Sequence, residues 1–312
     1  MYNLVTGAGE LAKALDPNKG GSLLEIKNAA CGVVTLNSQT HLAKTAIEED
    51  AEEDEYVEES DDFGIFGADD IQDILRQMNY KIDYIADGHP RLAVVSSKVG
   101  RSTKYLKFVE DGHDEVKILQ HLSSIRSPTN HTISNIRFWP VHGGTVICMP
   151  VAGGWLTSLR NPDKHMGSVA QQLFEAVAFM HEQNVAHLDL KSQNIVIPRH
   201  GGRLSIIDFN ASVLVKSPTQ KFRGIVGTDH YIPPEVHVGK FNPIRADLWT
   251  CGKTLRQLCS RCKDSPYRSF LLEITDALMK DDPDERPMMS TVLRWMSSRS
   301  CNSSPNIGTP VY

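Results

Sequence analysis

The chain has 312 residues, 38 of them Asp or Glu and 33 Lys or Arg, for a formal net charge of −5; 40% are hydrophobic and 23% charged. That length and balance suit a globular chain of one large two-lobed domain or two small ones, with a sizeable core. Its six cysteines are too few and scattered for a disulfide scaffold, no stretch reads as a secretion signal, and no apolar run reaches the about 18 residues of a membrane span. The expectation is a soluble protein of a reducing compartment, cytoplasmic or nuclear, with no membrane partner.

The charge is unevenly spread. Eleven acidic residues fall between Glu48 and Asp62 (EEDAEEDEYVEESDD), with no Lys or Arg among them, which leaves 27 acidic against 33 basic residues elsewhere. Such a block repels itself and has little apolar area to bury, so residues 48–68 are read as an acidic disordered linker. Docking of this block on a basic surface is the alternative. Residues 1–47 carry Gly-rich punctuation (GAGE, NKGG) and short apolar pieces without repeat or motif, and form an extension of unassigned structure. At the other end, residues 298–312 are polar and Ser/Pro-rich and are expected to be a flexible tail.

Periodic structure begins near Asp69. IQDILRQM spaces its apolar residues as a helix does. YKIDYIA, RLAVVSS, TKYLKFV and later TVICMPV are alternating or apolar runs separated by DGHP, KVG, EDG and HGG, a pattern that predicts a small antiparallel sheet. One helix interrupts it over about residues 113–123, with Val116, Leu119 and Leu122 on one face. Past Gly153-Gly154 longer helices take over. The clearest is predicted to start at Ser168, with Ser-x-x-Gln as a capping box and Val169, Leu173, Val177 and Met180 as its buried stripe. Strands first and helices afterwards predict an α+β chain in two lobes, a small β-rich one and a larger helical one.

The stretch with chemistry in it is His187-Leu188-Asp189-Leu190-Lys191-Ser192-Gln193-Asn194, followed by IVI, a PRHGGR turn, LSII and then Asp208-Phe209-Asn210. IVI and LSII read as a hairpin that returns the chain to its start, so Asn194 and Asp208, separated by thirteen residues, end side by side. An amide oxygen beside a carboxylate, completed by phosphate and water, suits Mg²⁺. Asp189, five residues before Asn194, is placed to orient and deprotonate a hydroxyl aimed at a phosphate, and Lys191 puts a cation near the transferred charge.

These residues carry a resemblance. HLDLKSQN is similar to the H-R-D-L-K-x-x-N catalytic loop of eukaryotic-type protein kinases, and DFN to their metal-binding D-F-G. Gly227-Thr228-Asp229-His230-Tyr231-Ile232-Pro233-Pro234-Glu235 resembles the G-T-x-x-Y-x-A-P-E end of the activation segment. Asp247-Leu248-Trp249-Thr250-Cys251-Gly252 resembles D-x-W-S-x-G, and Glu285-Arg286-Pro287 the late arginine motif whose Arg pairs with the Glu of A-P-E, here Glu235. The similarity extends over about residues 72 to 297 and implies a two-lobed protein-kinase fold at 69–297, with an N-lobe at 69–148, a hinge at 149–154 and a C-lobe at 155–297.

The resemblance also implies a function: transfer of the γ-phosphate of ATP, with Mg²⁺, to Ser or Thr hydroxyls of a protein substrate. Asp189 and Lys191 are then the catalytic residues, and Asn194 and Asp208 hold the metal. Lys107 fixes the ATP phosphates with Glu115 as its partner, Gly88 covers the phosphates, and backbone groups of Met149 and Val151 meet adenine. Lys104 competes for the place of Lys107, but three positions apart on a strand the two face opposite ways. Thr228 and Lys191 resemble the Ser/Thr-specific branch, and Thr228 is placed to hydrogen-bond both the base and the lysine.

Departures from the family pattern set further expectations. Only eight positions separate Lys107 from Glu115, so the first turns of the glutamate helix must be missing. Of the G-x-G-x-x-G-x-V loop, only Gly88 survives in Ala86-Asp87-Gly88-His89-Pro90-Arg91-Leu92-Ala93, and Pro90 removes a donor, which predicts weak or unusual nucleotide binding. Leu188 replaces the Arg that would clamp a phosphorylated activation segment, so activity is expected not to need that phosphorylation. Asn210 replaces the Gly of D-F-G and is expected to sit in a left-handed turn. Cys148 reads as a buried small residue, and Cys259-x-x-Cys262 lacks the further ligands of a zinc site. A pseudokinase acting as a binding or scaffold module is the alternative to an active kinase, with a small-molecule kinase behind it. No basic run or aromatic-interleaved patch points to nucleic acid. Substrate identity, oligomeric state and the role of residues 1–68 are left open.

Overall fold

The computed structural model describes residues 63–217 and 219–302. The extension at 1–47, the acidic run to residue 62 and the last ten positions, 303–312, lie outside the described residues. Between Lys107 and Phe108 the chain divides into two compact units.

The first unit opens with a 3₁₀ turn at Gly64–Gly67 and helix α1 (Asp69–Met78). Phe66 is fully buried, and its carbonyl accepts from Gln72 Nε2 at 2.7 Å. This turn falls within the span 48–68 assigned to the linker. The acidic run ends at Asp62, and Phe66, fully buried, then supplies apolar area that repays ordering. Helix α1 buries Ile71, Ile74 and Leu75 and carries Asp69 and Asp70 in its first turn, where the helix dipole favours negative charge. It stops at Asn79, whose left-handed backbone (φ 57°) closes the last turn. Strands β1 (Tyr80–Ile85), β2 (Leu92–Ser97) and β3 (Thr103–Glu110) follow as an antiparallel meander, with Ile85 opposite Ala93 and Leu92 opposite Lys107.

The second unit takes up the end of β3 and continues with helix α2 (Asp114–Ser124) and the hairpin β4 (Arg137–Val141) and β5 (Gly144–Pro150), in the sheet order β3-β5-β4. Strand β4 has no counterpart in the sequence reading, because Pro140 argues against a strand; on the outer edge the missing N–H costs the ladder nothing. The helical part comprises α3 (Pro162–Glu182), α4 (Pro234–Val238), α5 (Pro243–Arg261), α6 (Arg268–Leu278) and α7 (Met289–Asn302). Short strand pairs lie between them: β6 (Gly154–Trp155), β8 (Ile195–Ile197) and β9 (Ser205–Ile206) in one sheet, β7 (Val185–Ala186) with β10 (Val213–Leu214), and β11 (Phe222–Arg223) with β12 (Lys240–Phe241).

Two helix boundaries differ from the sequence reading. Helix α3 starts six residues before Ser168, because Pro162 at its first position is preset for helical φ. Gly167, inside the helix, is a packing glycine whose Cβ would stand 2.8 Å from the ring of Tyr267. Ser168 therefore sits inside the helix and accepts from Gln172 at 3.2 Å, an i,i+4 pair rather than a cap. The stripe Val169, Leu173, Val177 and Met180 is buried as expected. Helix α7 reaches Asn302, past the expected end at 297, its Ser297 and Ser298 hydroxyls turning back onto backbone carbonyls.

The division after Lys107 falls well before the lobe boundary expected at 148. The reason is the core: Val109, Ile118, Leu119, Leu122 and Ile147 belong to one buried cluster with Phe174, Leu190, Phe209 and Leu255. Helix α2 and strand β5 thus share their apolar core with the helical part that follows. Among the described residues no helix is long and apolar enough to cross a membrane.

Candidate active site

The loop from His187 to Asn194 is fastened to the helix behind it. Asp247, fully buried on α5, accepts the backbone N–H of His187 and of Leu188, both at 2.6 Å, and its Oδ2 also lies 3.2 Å from His181 Nε2. Thr254, two turns further along α5, donates to the carbonyl of Leu190 at 3.0 Å. The loop bends sharply at Leu188, a non-glycine residue with φ 62°, a conformation that persists only where surrounding contacts fix it. Those contacts are the two bonds to Asp247 and an apolar cluster of Leu188, Val215, Ile232, Val236, Phe241 and Ala246. His187 adds an inner brace. Its Nε2–H donates to the carbonyl of Ile207 at 3.1 Å, which leaves Nδ1 to accept from the N–H of Asp189 at 3.3 Å, and its ring meets Phe209 edge-on at 4.9 Å.

This scaffold presents one carboxylate. Asp189 is 8% exposed and has three side-chain donors converging on it. Lys191 Nζ donates to Oδ2 at 2.8 Å, Asn194 Nδ2 to the same oxygen at 2.9 Å, and the Thr228 hydroxyl to Oδ1 at 2.7 Å. Lys191 Nζ also donates to Thr228 Oγ1 at 2.6 Å, which closes a triangle of carboxylate, ammonium and hydroxyl. Charge-assisted bonds of this kind hold an anionic oxygen in a fixed direction.

Thr228 reaches the carboxylate because Gly227 comes before it. At Gly227 φ is 101°, and an added Cβ would lie 2.7 Å from the carbonyl oxygen of Leu188, so only glycine allows the segment to lie against the loop. Downstream, Glu235 meets Arg286 through both carboxylate oxygens, at 2.6 and 2.8 Å.

The hairpin between Asn194 and Asp208 forms as its sequence indicates. Ile195 pairs with Ile206 and Val196 with Ser205, and the N–H of Ile207 donates to the carbonyl of Asn194 at 3.0 Å. Asn194 is therefore bonded to the residue preceding Asp208. Its amide nitrogen donates to Asp189 twice, to the backbone oxygen and to Oδ2, both at 2.9 Å, so its free-facing heteroatom type is oxygen, the donor a hard cation takes. Among the described residues no group of three or more His, Cys, Asp and Glu gathers as a metal cage. One carboxylate and one amide oxygen, with phosphate and water, fit Mg²⁺.

Asn210 corrects an expectation. The left-handed residue of this turn is Asp208, φ 63°, not Asn210. Ser212 N–H donates to Phe209 O at 3.1 Å across a turn whose two central residues keep negative φ, so Asn210 occupies a position open to most residue types.

The remaining sequence-assigned residues lie as follows. In the first unit, Lys107 is half-buried on β3 between the buried Leu106 and Phe108, while Lys104 lies 5.1 Å above the ring of Tyr80. Gly88 has φ 72° in the β1–β2 connection. That connection is closed by its own backbone: Ala86 N–H donates to Leu92 O, His89 to Ala86 O and Leu92 to His89 O, at 2.8, 2.9 and 2.9 Å. In the second unit, Glu115 is 2% exposed in the first turn of α2, a helix that starts at Asp114 and is capped by His113 Nδ1, which accepts from Glu115 N–H at 3.2 Å. The turns that would precede Glu115 are indeed absent. Met149 and Val151 lie past Cys148, the last β5 residue paired with β4. Cys148 is buried, as are Cys259 and Cys262, whose thiols burial pushes up to about 11.

Sequence reasoning left His187 and Gly227 without roles in the site. Both had a signal: an imidazole two residues before a carboxylate, and a glycine directly before the threonine.

Comparison with known proteins agrees with this geometry. A family model described as protein kinase domain matches residues 94–276. The chain is 25% identical over 228 residues to the serine/threonine-protein kinase KIC1 of Saccharomyces cerevisiae, covering 63% of this chain and 20% of that protein. It is 34% identical over 137 residues to the serine/threonine-protein kinase HAL4/SAT4 of the same yeast, covering 40% of this chain and 22% of that protein. With the serine/threonine-protein kinase Nek11 of Mus musculus it shares 30% identity over 141 residues, 43% of this chain and 22% of the relative. The chain thus matches about a fifth of the length of each of these relatives.

Proposed function

This chain belongs to the protein kinase domain family, and from that premise we propose that it transfers the γ-phosphate of ATP to Ser or Thr hydroxyls of a protein substrate inside the cell. The observation that carries the reading is the Asp189 carboxylate, nearly buried, with Lys191, Asn194 and Thr228 all donating to it. Catalysis of phosphoryl transfer is mostly positioning and electrostatics, and this carboxylate is positioned from three sides.

In the proposed reaction Asp189 orients the acceptor hydroxyl and takes its proton. Lys191, held between Asp189 and Thr228, offers its ammonium to the charge that moves with the phosphoryl group. Asn194 and Asp208 would hold Mg²⁺, which neutralises phosphate charge when bound. By resemblance to the family, Lys107 is assigned to the ATP phosphates, Glu115 to the role of the helix glutamate, Gly88 to close backbone approach, and the backbone of Met149 and Val151 to adenine.

One observation favours the alternative of a pseudokinase. In the β1–β2 connection the N–H groups of Ala86 and His89 are spent on internal carbonyls, and Pro90 has none, which removes donors a phosphate would use. Incubation of the wild type and Asp189→Asn with γ-labelled ATP, Mg²⁺ and a generic Ser/Thr substrate separates the two. Transfer by the wild type that the mutant loses supports the kinase. Equal background from folded protein of both kinds makes it a binding module.

A further inference from the structure

The face made by β11 and β12 carries a charge arrangement that the fold does not use. Their register sets Arg223 directly opposite Lys240, and both are exposed. Directly opposed residues of an antiparallel pair project from the same face, where two like charges work against the ladder. Lys221, also exposed, stands two residues before Arg223. Among the described residues no carboxylate pairs with Lys221, Arg223 or Lys240. From Lys216 to Phe241 the segment holds four Lys or Arg and two acids, and one of those acids, Glu235, is committed to Arg286. Beside the cations stand two apolar side chains left in solvent, Ile225 at 72% and Val238 at 87% exposure.

We infer that this face binds acidic residues flanking the acceptor hydroxyl of the protein substrate, an inference that rests on Asp189 being the catalytic carboxylate. Three lines support it. The like-charged pair loses its repulsion when carboxylates lie across it. The exposed Ile225 and Val238 give a peptide backbone apolar area to cover. Third, the face is close to the chemistry. Arg223 is five residues from Thr228, whose hydroxyl is bonded to Asp189, so the two Cα atoms lie within about 18 Å, the span of about five or six extended residues. The substrate class is therefore Ser or Thr with Asp or Glu within about six positions of it. The neutral Gln193 in the catalytic loop sets no acid against such a peptide.

This chain contains a segment of that chemistry, Glu58-Glu59-Ser60-Asp61-Asp62, which serves as a probe peptide. Its amide twin replaces the four acids by Gln and Asn. Steady-state transfer by the full chain to each peptide gives KM and kcat, and fluorescence anisotropy of each labelled peptide gives binding without turnover. The acidic peptide is expected to show a KM lower by about tenfold at low salt, with the gap narrowing as salt rises. The Arg223→Gln/Lys240→Gln double variant should erase that gap while leaving kcat on the twin unchanged. Equal KM for the two peptides, or a double variant that slows both alike, would overturn the inference. If neither peptide accepts phosphate, the kinase reading is what fails, and anisotropy still decides the surface. Acidic-peptide binding that the double variant loses supports the surface, and no preference for the acidic peptide sinks it.

Discussion

Arg286, 1% exposed, forks its guanidinium onto both oxygens of Glu235, fifty-one residues earlier in the chain, and donates also to the carbonyls of Lys280 and Arg245 at 2.8 Å. The pair ties the end of the segment that carries Thr228 to the loop that leads into α7. Removing one member leaves the other charge buried without its counterion, a larger loss than the pair's net contribution. Arg286→Ala should lower stability by about 3–5 kcal/mol. Urea unfolding checks it: the midpoint falls and the slope stays constant if the native and denatured states keep their exposure. Arg286→Lys should recover little, because one ammonium cannot reproduce the fork and the carbonyl bonds together.

Thr228 is joined to Asp189 and Lys191 at once, and its hydroxyl is the only atom that can be. Thr228→Val keeps the shape and removes the bonds. Losing a hydrogen bond to charged groups of this kind should lower kcat by about ten- to a hundredfold. Thr228→Ser should stay near wild type, and the KM for ATP should move little in either variant. A Val variant as active as wild type would make Thr228 a turn hydroxyl and nothing more.

Much of this site was legible because its residues are close in sequence or joined by a short hairpin. The β8–β9 pair follows from two apolar runs around a glycine turn, and with it the return of the chain from Asn194 towards Asp208. What could not be read is set by partners distant in sequence. Leu188 looks like a lost arginine, and its gain, a place in the cluster with Val236 and Phe241, depends on residues about fifty positions away. Pro140 argues against a strand unless it is known to lie at a sheet edge. The packing role of Gly167 depends on the ring of Tyr267. Asn210 replaces a glycine, but the left-handed backbone is carried by Asp208, and local preference alone does not say which of neighbouring residues takes the strain.

Leu188 holds the activation segment by packing where a cation would hold it through a phosphate. Val215, Ile232 and Val236, from both ends of that segment, share its cluster, and β11 and β12 pair beside it. Activity of the purified protein should therefore survive phosphatase treatment, measured as transfer rate before and after. Leu188→Ala should cost about 2–5 kcal/mol through the cavity it opens, and should loosen the segment enough for proteolysis near Arg223. Leu188→Arg should be worse, since it buries a charge with no acid in the cluster to meet it.

His131 gives the fold a pH dependence of known sign. Burial pulls its imidazole below the ordinary 6.5, and the charge of Arg203 adds to that, while the hydrogen bond and charge of Glu175 pull the other way. The folded protein thus binds this proton more weakly than the unfolded chain does. The stability contributed by neutral His131 is complete above about pH 6.5 and is lost as pH falls below it through the lowered folded value. Thermal unfolding should show a larger drop in midpoint between about pH 7.5 and pH 5 in the wild type than in His131→Gln. The effect should reach the site. The carbonyl of His131 accepts from Ile206 N–H at 2.7 Å and Ile133 N–H donates back to Ile206 O at 2.9 Å, so this stretch braces β9. On its other edge β9 carries β8, and with it Asn194. Acid should therefore loosen the hairpin that holds Asn194 before it unfolds the helices, and amide exchange at Ile206 and Ile207 should accelerate first. Uniform exchange across the unit as pH falls would show instead that His131 acts on global stability alone.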